Sequence, residues 1–317
     1  MNSLFGQTFV SIFSGLLNIF IIAALAALLT RRKIVSQEVI NGLSKLVVTI
    51  FLPFLIFNTV TQEFDPGQQT YWWTLPLLAI LFPSLGLLLS WLLFYKQTKE
   101  KKYLFPLATM QNAAYLILPI GEFVYKEQFE EFSLICFLIV LGLSPFMWTV
   151  GKLLLTKDDQ KGPGIMKILT PPFIANILSI ILVLTGLSKY IPGFVTDATG
   201  FLGAATVPVA TFILGATLAI SIGSIPGFKD TFRVIFVKFI ALPVMTIFLL
   251  KYFNTGDNFP LLADVLVIQS ASAPATAHIL QLRTYGGNLK SAGGIIFVSY
   301  LICLFAIPLW LTVWKFI

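Results

Sequence analysis

Two apolar stretches, 104–124 and 260–283, are each long enough to cross a bilayer as one helix, yet each carries polar residues and a proline at its middle. The first reads YLFPLATMQNAAYLILPIGEF from Tyr103, with Gln111, Asn112 and Pro119 inside it. The second reads PLLADVLVIQSASAPATAHILQLR, with Gln269, Ser270, Ser272, Pro274 and Thr276. Proline removes a backbone donor and clashes with the carbonyl one turn back, so each helix is expected to break at its proline. Inside a membrane a broken backbone persists only where protein or a water-filled cavity satisfies the freed groups. A matched pair of such helices is the sequence pattern of a solute site near the bilayer midplane.

The rest of the chain supports a membrane setting. Hydrophobic residues make up 57% and charged residues 11%, against about 25% charged in ordinary globular domains, and the mean hydropathy is +0.90. Stretches of about 20 residues, enough for ~30 Å of hydrocarbon, fall near 8–30, 39–60, 71–95, 104–124, 131–154, 172–190, 197–222, 231–252, 260–283 and 291–316. This predicts an all-α integral membrane protein with ten transmembrane helices, of which the fourth and ninth are broken.

The formal charge of +7 follows the loops. Arg31, Arg32 and Lys33; Lys96, Lys99, Lys101 and Lys102; Lys152, Lys157, Lys161 and Lys167; Lys229 and Arg233; and Arg283 and Lys290 all follow odd-numbered spans. Only Lys126, Lys189, Lys251 and Lys315 lie at the other side. Basic loops stay cytoplasmic, so both termini are expected outside a cell (plasma) membrane. The positive charge therefore reports topology, and no nucleic-acid partner is expected. The N-terminus MNSLFGQTF lacks a basic n-region, so the first span reads as a retained helix. Trp72, Trp73 and Trp91, near span ends, read as interfacial anchors to membrane lipid. Cys136 and Cys303 fall inside spans and imply neither disulfide nor metal site.

Pro53 and Pro208 are 155 positions apart, as are Pro119 and Pro274. The shared offset divides the chain into repeats at 1–155 and 168–317, joined by a charged, Gly- and Pro-bearing linker at 156–167. Five spans per repeat make the two halves enter the membrane in opposite directions, an inverted repeat.

The final stretch, ASAPATAHILQLRTYGGNLKSAGGIIFVSYLICLFAIPLWLTVW, and FLPFLIFNTV at 51–60 carry a resemblance. So does the run from Asn112 through Tyr115 to Pro119, where family members often have Asn-x-Gly-[Phe or Asn]-x-Gly-x-Pro; here Ala114 and Ile117 replace the glycines. Over essentially its whole length the chain resembles the auxin efflux carrier family, which belongs to a wider group including bile acid sodium symporters and also contains bacterial malate and malonate permeases. The resemblance implies a carrier of small organic anions. It further implies a scaffold domain from the first two spans of each repeat and a transport domain from the last three, with the fourth and ninth spans crossing beside the substrate.

On the residues themselves, a helix that restarts after a break presents free N–H groups and partial positive charge, which suit a carboxylate. Asn112 and Ser272 are the expected direct contacts. Gln111, Tyr115, Gln269, Ser270 and Thr276 add donors and acceptors, and Pro119 and Pro274 shape the breaks. Lys238, inside the eighth span, costs ~2.5–3.5 kcal/mol on insertion scales; it reads as a counter-ion for substrate, as a stand-in for a coupling cation, or as a side chain snorkelling to the interface. Asp264 and Glu122 read as solvated carboxylates near the outer interface, and His278 as a helix histidine with one hydrogen bond. No cofactor is expected, and the coupling ion, H+ or Na+, stays open, as does dimerisation through the scaffold. A channel, or a carrier for a neutral or cationic solute, is the alternative. A hydrolase built on His278 and a nearby serine lacks a third orienting group, and no Walker-type loop supports ATP drive.

Overall fold

The computed structural model describes residues 2–155, 169–221, 227–285 and 288–317. The linker at 156–167 lies outside the described residues, as does Gly286 of the Tyr285-Gly286 turn. The described residues are helical. Among the described residues, seven spans are long and apolar enough to cross a membrane: Leu4–Arg31 within α1 (Asn2–Arg31), α2 (Gln37–Glu63), α3 (Thr74–Leu93), α6 (Lys126–Leu155), α8 (Gly193–Ile220), α9 (Phe228–Tyr252) and α12 (Leu289–Phe316). Between them lie shorter helices: α4 (Leu104–Thr109), α5 (Ile117–Val124), α7 (Pro171–Leu184), α10 (Pro260–Ser270) and α11 (Ala277–Tyr285). The two interrupted segments are thus α4–α5 and α10–α11. The expected sixth span is the 14-residue α7 followed by a short 3-10 turn at Leu187–Tyr190.

Sequence explains several local features. Val47–Phe51 and Val237–Ala241 are π turns, each leading into a Leu-Pro pair, Leu52–Pro53 and Leu242–Pro243. The proline would collide with the carbonyl four residues back. Widening the helix lets the Leu52 N–H bond the Val47 carbonyl, and the Leu242 N–H the Val237 carbonyl, so the chain continues without a break. The prolines at 53 and 243 therefore lie in spans that they do not interrupt.

The helices form two groups. α1, α2, α7 and α8 pack on one another, while α3, α6 and α9 gather around the two broken segments; α12 touches both groups. Close approach depends on small residues, as is usual where lipid supplies no hydrophobic drive. A Cβ on Gly142 of α6 would lie 2.0 Å from the Pro76 carbonyl oxygen of α3, and one on Gly215 of α8 would lie 2.0 Å from the Ala23 carbonyl oxygen of α1. At the end away from the basic loops the groups are in contact. There the Thr59 hydroxyl of α2 donates to Glu130 of α6 at 3.1 Å, and Gly15 of α1 sits against Val124 of α5.

Candidate functional site

α4 and α10 run toward one another from opposite ends of the bundle and stop short of its middle. The chain after each is extended, and the two extended pieces pair antiparallel at Gln111 and Pro274. Asn112 N–H donates to the Ala273 carbonyl at 2.9 Å, and Ala275 N–H donates to the Met110 carbonyl at 3.2 Å. This two-bond ladder satisfies backbone groups that the breaks would leave bare in the membrane interior. Gln111 and Pro274 form the non-hydrogen-bonded pair of the ladder, so the missing N–H of Pro274 costs no bond.

The sequence places both breaks at prolines, and the structure separates the two cases. Pro274 lies in its break. Pro119 lies in the first turn of α5, whose N–H groups have no intrahelical partner and where proline is tolerated. The first break is 110–116, marked by Gln111 and Asn112. The paired residues are 163 positions apart, as are Pro145 and Pro308 inside α6 and α12, so the offset of 155 does not bring the two breaks into register.

Asn112 is 4% exposed and bonded at both ends of its amide. Its Nδ2 donates to the Tyr300 hydroxyl of α12 at 2.7 Å, and its Oδ1 accepts from Leu116 N–H at 3.4 Å, just ahead of α5. Gln269 Nε2 reaches the Ala113 carbonyl at 3.3 Å, which ties the end of α10 to the opposite break. The Ser272 and Ser270 hydroxyls donate to the carbonyls of Gln269 and Val267, at 3.0 and 2.7 Å.

Two cavities flank the crossover. The larger, about 350 Å³, lies between the helix groups and extends to Gln37, Asn41 and Thr170 at the basic-loop end. Gln111, Asn112, Tyr115 and Thr276 line it, with the chain entering α5 (Ala113, Ala114) and α11 (Ala275, Ala277). Its other walls include Ser44, Ser144, Trp148, Phe173 and Thr217, and among the described residues that line it none is charged. The smaller, about 20 Å³, is lined by Thr109, Gln111, Gln269, Ser270 and Lys238, together with apolar residues of α3, α6 and α9. Gln111 borders both. Ser272, Pro119 and Pro274 line neither.

The profile of the family described as Membrane transport protein matches residues 11–166 and 160–311. The chain belongs to this family. It is the auxin efflux carrier family that the sequence resembles. An uncharacterized transporter of Methanocaldococcus jannaschii is 26% identical over 284 residues, covering 87% of this chain and 90% of that one. The chain is thus a multi-pass membrane transport protein.

Four charged or titratable positions of this family member are clarified by their surroundings. Lys238 does not snorkel: it is 0% exposed and its Nζ has no hydrogen-bond partner. Asp264, expected to be solvated, is 3% exposed, accepts from the Tyr125 hydroxyl at 3.0 Å and pairs with Lys315. The reason is positional, because the ends of α5 and α12 converge there; Glu122 is exposed as expected. His278 is buried with one hydrogen bond, 3.1 Å from Nδ1 to Gln281 Oε1. Sequence reading missed Tyr300, Ser144, Trp148 and Thr217. Tyr300 follows Asn112 by 188 positions, and no local pattern connects the two.

Proposed function

We propose that this protein is a secondary carrier that moves a small organic anion, such as a dicarboxylate or an auxin-like carboxylate, across the cell membrane by alternating access. The observation that carries the reading is the convergence of two helix starts, at 113–117 and 275–277, on one uncharged cavity of about 350 Å³. Free N–H groups and the dipoles of α5 and α11 favour a carboxylate there without a cationic side chain. Asn112, Gln111, Tyr115 and Thr276 then read as substrate-facing residues. Gln269, Ser270 and Ser272 hold the breaks in shape from behind, and Pro274 stiffens the second.

In this reading the broken segments each cross once and α7 spans together with its 3-10 extension, giving ten passages in two inverted halves. α1, α2, α7 and α8 act as scaffold, with the helices around the crossover as the moving part and α12 bridging to the scaffold. The basic loops face the cytoplasm and both termini face outward. The cavity reaches the basic-loop side while α1 and α2 meet α5 and α6 at the other, so the conformation is inward-facing. Drive comes from an H+ or Na+ gradient, from membrane potential or from the solute gradient.

The test is uptake of radiolabelled malate, malonate and indole-3-acetate into proteoliposomes under imposed proton, sodium and potential gradients. Saturable uptake and counterflow of one acid, reduced at least tenfold by Asn112→Ala in folded protein, is the expected result. If folded wild type moves none of them, the anion reading falls and a neutral or cationic solute replaces it. Non-saturating flux without counterflow makes the protein a channel.

A further inference from the structure

The smaller cavity has no part in holding the anion, yet it contains the most costly group in the membrane interior. Lys238 Nζ is buried without a partner, and so is Gln269 Oε1 in the same cavity wall. The cavity's ~20 Å³ holds about one water molecule, which needs polar partners of this kind. Lys238 also sits in the π turn Val237–Ala241, a distortion that recurs at functional sites. Gln111 lines both this cavity and the larger one, so the two adjoin at that side chain.

Among the described residues, no carboxylate is available to balance an ammonium here. The charged or titratable side chains interacting with Lys238 are His278 on α11 and Cys303 on α12. The facing helices α3 and α4 carry no titratable residue, and on α6 Cys136 is reached by Gln269 Nε2 at 3.9 Å. On α10 Asp264 is taken by Tyr125 and Lys315, Tyr300 on α12 is bonded to Asn112, and within α9 Asp230 pairs with Lys101. An unpaired buried charge costs far more than a paired one. An anion in the adjoining cavity supplies the missing countercharge, and its departure removes it.

We propose that Lys238 is the proton-carrying group of the transport cycle. The inference rests on the anion-carrier reading. Nζ takes one proton from the side where the anion enters, the neutral pair of ammonium and anion crosses together, and Nζ gives the proton up on the other side once the anion has left. The empty carrier returns with a neutral amine. Anion and proton therefore move in the same direction, one for one for a monocarboxylate.

The experiment compares wild type, Lys238→Met and Lys238→Arg in liposomes, using radiolabelled indole-3-acetate and malate, with two assays: exchange between equal concentrations on both sides, and net uptake driven by an inward proton gradient. Expected is exchange in wild type and Lys238→Arg, which keep the countercharge, and weaker exchange in Lys238→Met. Net uptake driven by the gradient occurs in wild type, is insensitive to the gradient in Lys238→Met, and falls at least tenfold in Lys238→Arg, whose fixed charge prevents the empty return. A second measurement needs no substrate: the difference in melting temperature between wild type and Lys238→Met is expected to change with pH between 5 and 9. A pH-independent difference, or gradient-driven accumulation by Lys238→Met equal to wild type, overturns the proton role and leaves the carrier reading standing. Absence of exchange by wild type with either acid removes the carrier reading for these anions and the proton role with it.

Discussion

In 104–124 the chain leaves its helix at Thr109, pairs through Gln111 and Asn112, and restarts only at Ile117, with its proline already inside the new helix. In 260–285 it leaves at Ser270, pairs at Pro274 and restarts at Ala277. The first break is held by a side chain, since Asn112 bonds Tyr300 and caps the approach to α5. The second is held by backbone geometry, through a proline placed where no N–H is needed and serines that return bonds to the preceding turn. Related crossings can therefore be stabilised by different chemistry, and substitution should separate the two.

The largest effect is expected at Asn112. Its truncation leaves the buried Tyr300 hydroxyl without a partner and removes the acceptor for Leu116 N–H, for about 2–4 kcal/mol in all. Thermal unfolding and uptake should both register the loss. Tyr300→Phe, which keeps the cap, should fall between wild type and Asn112→Ala. Equal values for the two variants would mean that the cap contributes nothing.

The prolines give the sharper contrast. Pro274→Ala introduces an N–H at the non-bonded position of the ladder, a buried donor without a partner in the pair, for about 1–3 kcal/mol. Pro119→Ala changes a first-turn residue and should cost at most about 1 kcal/mol, mainly through the unfolded chain. Melting temperatures of the two single variants test this. A Pro119→Ala loss as large as that of Pro274→Ala would restore equivalent roles to the prolines.

The legibility of these breaks in the sequence depends on the range of the interactions. Spans are visible because apolar length is a local property, and seven of the expected segments coincide with helices long and apolar enough to cross a membrane. Polar residues in lipid must have a reason, and Gln111, Asn112, Ser270 and Ser272 lie in or beside the breaks, although the first break was expected at Pro119. The crossing register was not visible: Gln111 meets Pro274 through packing across 163 positions. Nor was the division of polar residues between two cavities, which depends on side-chain direction around an extended segment. The seclusion of Lys238 belongs to the same class, because its distance from Arg233 in sequence is short while the bundle closes over it.

Asp264 tests how the outer ends of the two segments are joined. It lies on the first half-helix of the second break, and its partner Tyr125 follows the second half-helix of the first. Asp264→Asn keeps an acceptor for Tyr125 but strips Lys315 of its anion, and a loss of about 1 kcal/mol is expected. Glu122→Gln, one turn away and exposed, should stay within about 0.5 kcal/mol of wild type. Denaturation in matched detergent separates these values, and equal effects would remove the outer brace from the account.

At the basic-loop end the corresponding tie is Lys101, in the chain leading to α4, with Asp230 at the start of α9. The hydrogen bond to Asp230 raises the Lys101 ammonium above its ordinary range, against opposing desolvation. A folded-state lysine held above its unfolded value contributes stability that is complete below the ordinary lysine pKa and is lost as pH rises through the folded one. The side chain is 27% exposed, so solvent screens the pair and about 0.2–1 kcal/mol is expected. Lys101→Met should therefore melt slightly below wild type at neutral pH, with the gap closing above pH ~10.4 and shrinking with added salt. A gap that persists in strong base would assign the loss to the lysine stem packing on the bundle, and the inner tie, between the chain before α4 and the start of α9, would then be apolar where the outer one is ionic.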